Sequence, residues 1–145
     1  MITNADITIF NKVLGDDRRD VFIPTHIYGV SWYDAHDSSQ PTSLSLPDRE
    51  KYIVRIPISA SVSDDKEYID AALYDELTAQ QRAGYWSIQT SCIVAHGIVN
   101  VDDGGDGITE DEILSLKTKL FTVNTYADNT IRGTKFTKHW RIGGF

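Results

Sequence analysis

The chain has 145 residues, enough for one domain with its own core and too few for two. Hydrophobic residues make up 41% and charged residues 24%, the proportions of a globular protein, which excludes long disorder, collagen-like sequence and coiled coil. The formal charge of −7, with Arg18-Arg19 the one adjacent basic pair, argues against a phosphate-gripping groove for nucleic acid, whose affinity comes from Lys and Arg.

Along the chain, apolar-polar alternation with the period of strands is the commonest pattern. Ala5 to Lys12 reads as an opening strand with Ile7 and Ile9 on a shared face. Val21 to Tyr33, rich in β-branched and aromatic residues around Pro24 and Gly29, fits one bent strand or two. Asp34 to Asp48 is polar, with Ser38, Ser39, Ser43, Ser45, Pro41 and Pro47, and is expected to be a long exposed loop. Tyr52, Val54, Ile56 and Ile58 then alternate with Ile53, Arg55, Pro57 and Ser59, as a half-buried strand requires. Pro57 lacks an amide hydrogen, so this strand is expected at a sheet edge or with a bulge.

Helix signals follow. Asp70 to Leu77 places Ala71, Leu73, Tyr74 and Leu77 mostly on one side, and Thr78-x-x-Gln81 offers a second capped start before Gly84. Cys92 to Val101 returns to β-rich sequence, where Gly97 predicts a bulge or a close backbone approach. Thr109-x-x-Glu112 opens a helix of about two to three turns, with Ile113, Leu116 and Leu120 at spacings of three and four. Leu120 to Tyr126 and Lys135 to Ile142 are the closing strands, separated by the turn formers Asp128-Asn129 and Gly133. The set predicts a single mainly β domain over residues 1–145, a small β-barrel or alternatively a sandwich, with one or two short peripheral helices. The barrel is preferred because closing a sheet removes its exposed edges.

No residue pattern identifies an activity. His26, His36, His96 and His139 are far apart in sequence and lack zinc-ligand spacing. Asp34-x-His36 runs into the serine-rich loop, and Cys92 in a β run reads as a small core hydrophobe rather than a nucleophile. Counting an EF-hand register from Asp102 puts Gly104 at position three and Ile113 at position twelve, where acids are required, so Asp102 to Gly107 reads as an acidic turn feeding the capped helix. No enzyme, cofactor or metal site is expected. One cysteine forms no internal disulfide, and the apolar runs fall short of the roughly 18 residues a membrane helix needs. The expectation is cytoplasmic synthesis with neither export nor membrane insertion. Trp32, Trp86 and Trp140, accompanied by Tyr33, Tyr85 and Tyr126, are core wedges or interface anchors.

The ordered segments Ala5-Asp6-Ile7-Thr8-Ile9-Phe10-Asn11-Lys12, Ile27-Tyr28-Gly29-Val30-Ser31-Trp32 and Arg55-Ile56-Pro57-Ile58-Ser59 carry a resemblance. It continues through Lys66-Glu67-Tyr68-Ile69-Asp70, Tyr85-Trp86-Ser87-Ile88-Gln89, Ile93-Val94-Ala95-His96-Gly97-Ile98 and His139-Trp140-Arg141-Ile142-Gly143-Gly144. In order and spacing the chain resembles an uncharacterised family of small proteins encoded in the head-tail structural gene block of tailed phages and prophages of Gram-positive bacteria. Ser91-Cys92, the loop at residues 34–48 and the turn at 102–107 depart from that pattern. The resemblance implies a head-tail connector of the stopper or head-completion kind, with tail terminator or minor capsid protein as the alternative. Its implied setting is the virion, self-associated into a ring between portal or adaptor proteins and a tail terminator or tail tube, with DNA passing nearby without sequence-specific contact. Interface residues are then expected at Trp32, Asp37, Pro41, Leu44, Leu46, Trp140 and Phe145. A small β-fold hydrolase using Cys92 with His96, or Asp34 with His36, is the competing class.

Overall fold

The computed structural model describes residues 2–15, 18–34, 51–101, 107–134 and 137–145. Their strands are β1 (Ala5–Leu14), β2 (Asp20–Asp34), β3 (Tyr52–Pro57), β4 (Ser61–Val62), β5 (Glu67–Tyr68), β6 (Tyr85–Trp86), β7 (Ile93–His96), β8 (Leu120–Asn129) and β9 (His139–Gly144). The helices are α1 (Ala71–Asp75), α2 (Ala79–Arg82) and α3 (Glu110–Leu114).

Six strands close into a ring. β1, β2 and β3 form one antiparallel meander and β7, β8 and β9 a second; antiparallel β1–β7 and β3–β9 pairs join them edge to edge. β4 adds to β2 outside the ring, and β5 pairs with β6 in parallel. This is the small barrel that the alternation predicts. Ile7, Ile9, Ile27, Val30, Val54, Ile56, Val94, Phe121, Val123 and Ile142 fill its interior, none more than 2% exposed. Each such side chain stabilises the closed sheet by about 1.5–3 kcal/mol through burial.

Val21 to Tyr33 forms one bent strand. Gly29 supplies the bend at φ 83, a left-handed backbone that a residue with a Cβ resists, and β2 passes there from pairing with β1 to pairing with β3. That bend also accounts for a correction at Pro57, which is not on an edge strand: β3 lies between β2 and β9. The Ile58 amide donates to the Lys138 carbonyl at 3.2 Å on the β9 side, so the Pro57 nitrogen faces β2, whose pairing with β3 ends at Ser31–Arg55. No ladder bond is lost.

The β-rich run after Cys92 is a strand only over Ile93–His96. Gly97 ends it at φ 90, with open space where a Cβ would stand, so the left-handed backbone and neither a bulge nor a close approach favours glycine there; its amide donates to the Asp6 carbonyl at 2.7 Å. Residues 87–92 continue the barrel wall without strand geometry: Ser91 donates to the Val123 carbonyl at 2.8 Å and Val123 to that of Cys92 at 2.9 Å.

The helix starts fall where their caps predict. Thr78 and Gln81 form a reciprocal capping box at α2, and the Thr109 hydroxyl accepts the Glu112 amide at 3.3 Å at α3. α3 is nevertheless shorter than the apolar spacing suggests. Ile113 packs with Phe10, Phe22, Ile93, Ala95 and Ile108 in a second apolar cluster outside the barrel, whereas Leu120 begins β8 opposite Ala95. Asp128 and Asn129 end β8, and the Asp128 carboxylate accepts the Thr130 amide at 2.9 Å as the chain turns; β9 begins at His139, and Lys135 and Phe136 lie outside the described residues.

Candidate functional site

One mouth of the barrel holds an aromatic cleft. Trp140, near the start of β9, stands in register with Ile56 of β3 and Asp128 of β8. The parallel β5–β6 pair sets Tyr68 opposite Trp86 and lays both rings against Trp140. Ring centroids are 4.7 Å apart for Tyr68–Trp140, 5.3 Å for Trp86–Trp140 and 5.2 Å for Tyr68–Trp86, with mutual tilts of 37°, 79° and 68°. These are the tilted and edge-to-face arrangements that ring quadrupoles favour. Trp86 is buried while Tyr68 and Trp140 stay half-buried, facing an open cleft of about 230 Å³. Ile56, Pro57 and Ile58 wall its apolar side; Lys66 and Glu67 also line it. Burial, then the neighbouring Tyr126, Asp70 and Asp128, push the Tyr68 hydroxyl well above the usual tyrosine range, so it remains a neutral donor near physiological pH.

The opposite mouth is closed by Trp32, whose ring packs on Tyr52 (5.3 Å), His96 (4.9 Å) and Phe121 (5.4 Å). Lys119 pairs there with Asp34 at 3.4 Å, and the Lys51 ammonium lies 5.4 Å from the centre of the Tyr52 ring. Phe145, just past β9, is 53% exposed.

The sequence-predicted interface residues therefore separate. Trp32, 5% exposed, is a core side chain, the first of the two roles expected for it. Trp140 and Phe145 keep accessible surface at opposite ends of β9. Asp37, Pro41, Leu44 and Leu46, with His36 and most of the expected loop, lie outside the described residues, as do Asp102 to Asp106. Cys92 is fully buried in the barrel and its thiol is pushed up to about 12 by that burial. Cys92 and His96 stand four residues apart along extended chain, about 13 Å, so they form no nucleophile-base pair. The His26 ring bonds the Val99 carbonyl at 2.8 Å, a structural role.

Sequence reading missed Tyr68 as a partner of Trp140. The strands that bring them together are two residues each, too short to show any period, and pair across seventeen intervening positions.

Residues 2–145 match the model of a family of unknown function, DUF6751, and the chain belongs to that family. No curated protein and no solved structure matches it.

Proposed function

We propose that the protein is a non-enzymatic structural subunit of a tailed-phage virion, a head-tail connector of the stopper or head-completion kind that assembles as a ring. The observation that carries this reading is a closed barrel with unlike accessible aromatic surfaces at its two ends. The Trp140 cleft opens at one mouth and Phe145 projects beyond the other, five residues and about 16 Å further along extended chain. A connector protomer needs such a division, because it meets different neighbours above and below its ring. The ordered sequence segments described above supply the virion setting. The isolation of Cys92 from His96 speaks against the competing hydrolase that used this pair.

The test uses particles of the phage or prophage that encodes the chain. Mass spectrometry of purified virions is expected to detect the protein, and gold-labelled antibody to mark the neck in electron micrographs. Absence from virions, or label along the tail shaft or over the capsid, overturns the connector assignment; label at the tail side of the neck alone favours a tail terminator instead.

A further inference from the structure

We propose that residues 70–84, which carry α1 and α2, form a lid that swings off the barrel as one unit and is latched to it by the Tyr74 ring. The segment leaves and rejoins the body of the protein at one point, where the parallel β5–β6 pair closes its neck. There the Glu67 amide donates to the Gly84 carbonyl and the Ile69 amide to that of Trp86, each at 3.0 Å. Beyond the neck the backbone bonds are internal. The amides of Tyr74, Glu76, Leu77, Arg82 and Gly84 donate to the carbonyls of Asp70, Leu73, Tyr74, Thr78 and Gln81, and none reaches a barrel strand. Arg82 braces the two helices, donating Nε to the Tyr74 carbonyl at 3.4 Å and Nη2 to the Asp75 carbonyl at 3.3 Å, with its guanidinium 5.6 Å from the centre of the Tyr74 ring. All of these bonds travel with the segment and survive its displacement, as a cooperative opening unit requires.

Little else holds the lid down. Tyr74 is its one buried side chain, 0% exposed and seated near the Cys92 thiol of the barrel wall. A further polar tie runs from the Gln89 side-chain amide to an Asp75 carboxylate oxygen at 3.4 Å. The lid is also undercut on two sides. An open groove of about 400 Å³ lies between Ala71 and Asp75 of the lid and Lys12 and Leu14 of β1, and one of about 390 Å³ between Ala79 and Ala83 of the lid and Ile23 and Pro24 of β2. The latch itself is imperfect, because the Tyr74 hydroxyl is buried without a hydrogen-bond partner. Seating the ring removes apolar surface from water but strips a polar group that receives nothing in exchange, and opening rehydrates it. Two opposed terms on one side chain give an equilibrium between shut and open. The open form bares Tyr74 and the wall it rests on, surface that the closed protomer hides. This inference goes beyond the connector reading and does not rest on it.

Hydrogen exchange of the full chain, followed amide by amide with NMR at pH 7, tests the lid. The Tyr74, Glu76, Leu77, Arg82 and Gly84 amides are expected to share one protection factor, roughly a hundredfold or more below that of the His96 and Val123 amides, which donate to Lys119 and Cys92 in the barrel wall. Tyr74→Phe keeps the ring and removes the orphaned hydroxyl, so the shared protection of the lid should rise roughly threefold or more. Tyr74→Ala removes the latch, and the lid amides should lose their protection while His96 and Val123 keep theirs. Lid amides as slow as those of the barrel, or rates scattered among the five, overturn the proposal. So does a Tyr74→Phe lid that exchanges as fast as wild type, or a Tyr74→Ala protein in which barrel protection disappears together with that of the lid.

Discussion

The Asn11 side chain pairs with the backbone of Ser87 at both of its polar atoms, donating Nδ2 to the carbonyl at 2.5 Å and accepting the amide on Oδ1 at 3.2 Å. A side-chain amide thus imitates one rung of a β ladder just beyond Phe10–Ile93, where the β1–β7 pairing ends. Gln89 repeats the device one residue along, accepting the Lys12 amide at 2.8 Å and donating to the Lys12 carbonyl at 2.9 Å. Both side chains are buried, so water cannot readily replace these bonds. Asn11→Ala should therefore lower stability by about 2–4 kcal/mol, the cost of orphaning a buried donor and acceptor. Asn11→Asp keeps the acceptor, loses the donor and sets a charge against the Ser87 carbonyl. Urea melts at pH 7 should rank wild type above both variants, and acidification should narrow the deficit of Asn11→Asp as its carboxyl becomes protonated.

Two glycines hold the barrel for different reasons. A Cβ on Gly144 would overlap the Thr122 carbonyl oxygen, so the β8–β9 contact leaves room for hydrogen alone. At Gly29 there is open space, and only the positive φ demands glycine. Gly144→Ala should cost about 3 kcal/mol or more, because backbone has to move. Gly29→Ala should cost roughly 1–2 kcal/mol, the ordinary penalty of a left-handed non-glycine residue. Thermal melts of the two variants measure the difference, and equal losses would contradict the steric argument.

Barrel strands, helix caps and the glycine bend were legible because each depends on nearby residues: alternation at Ile7 and Ile9, a hydroxyl three residues before its amide at Thr109 and Thr78. The place of Pro57 inside the sheet and the shortness of α3 were not, because they depend on distant partners. A proline is admissible inside β3 only because Gly29 has turned β2 away, and Leu120 joins a strand because Ala95 stands opposite it. The candidate site was visible only in part. Trp140 could be named as an anchor, but its meeting with Tyr68 and Trp86 depends on two-residue strands that leave no periodic trace.

Alkaline pH should destabilise the fold. Burial raises the Cys92 thiol to about 12 from an ordinary 9.0, and it raises the Tyr74 hydroxyl to about 12 from 10.0, with Arg82 opposing and Asp75 and Cys92 adding. Both groups bind their protons more tightly folded than unfolded. Their contribution is complete below the unfolded values and is lost as pH climbs through the interval from 9 to 12. The melting temperature is expected to fall over that interval, and a Cys92→Ala/Tyr74→Phe variant should fall less steeply. At pH 8 a thiol reagent should label Cys92 only after denaturant is added, since the side chain is fully buried.

Trp32 and Trp140 should part company when each is replaced by alanine. Trp32 is enclosed by Tyr52, His96 and Phe121, so Trp32→Ala is expected to cost about 3–5 kcal/mol, as for other buried aromatics. Trp140 is half-buried and loses two ring contacts, which together contribute about 1–3 kcal/mol. On the proposed connector reading, assembly into particles should show the opposite order once stability is matched by temperature. If Trp140 contacts a neighbour, Trp140→Ala protein fails to enter particles at a temperature where it remains folded, whereas Trp32→Ala protein enters them whenever enough of it is folded. Equal incorporation of the two at matched folded fraction would mean that the cleft at this mouth takes no part in assembly.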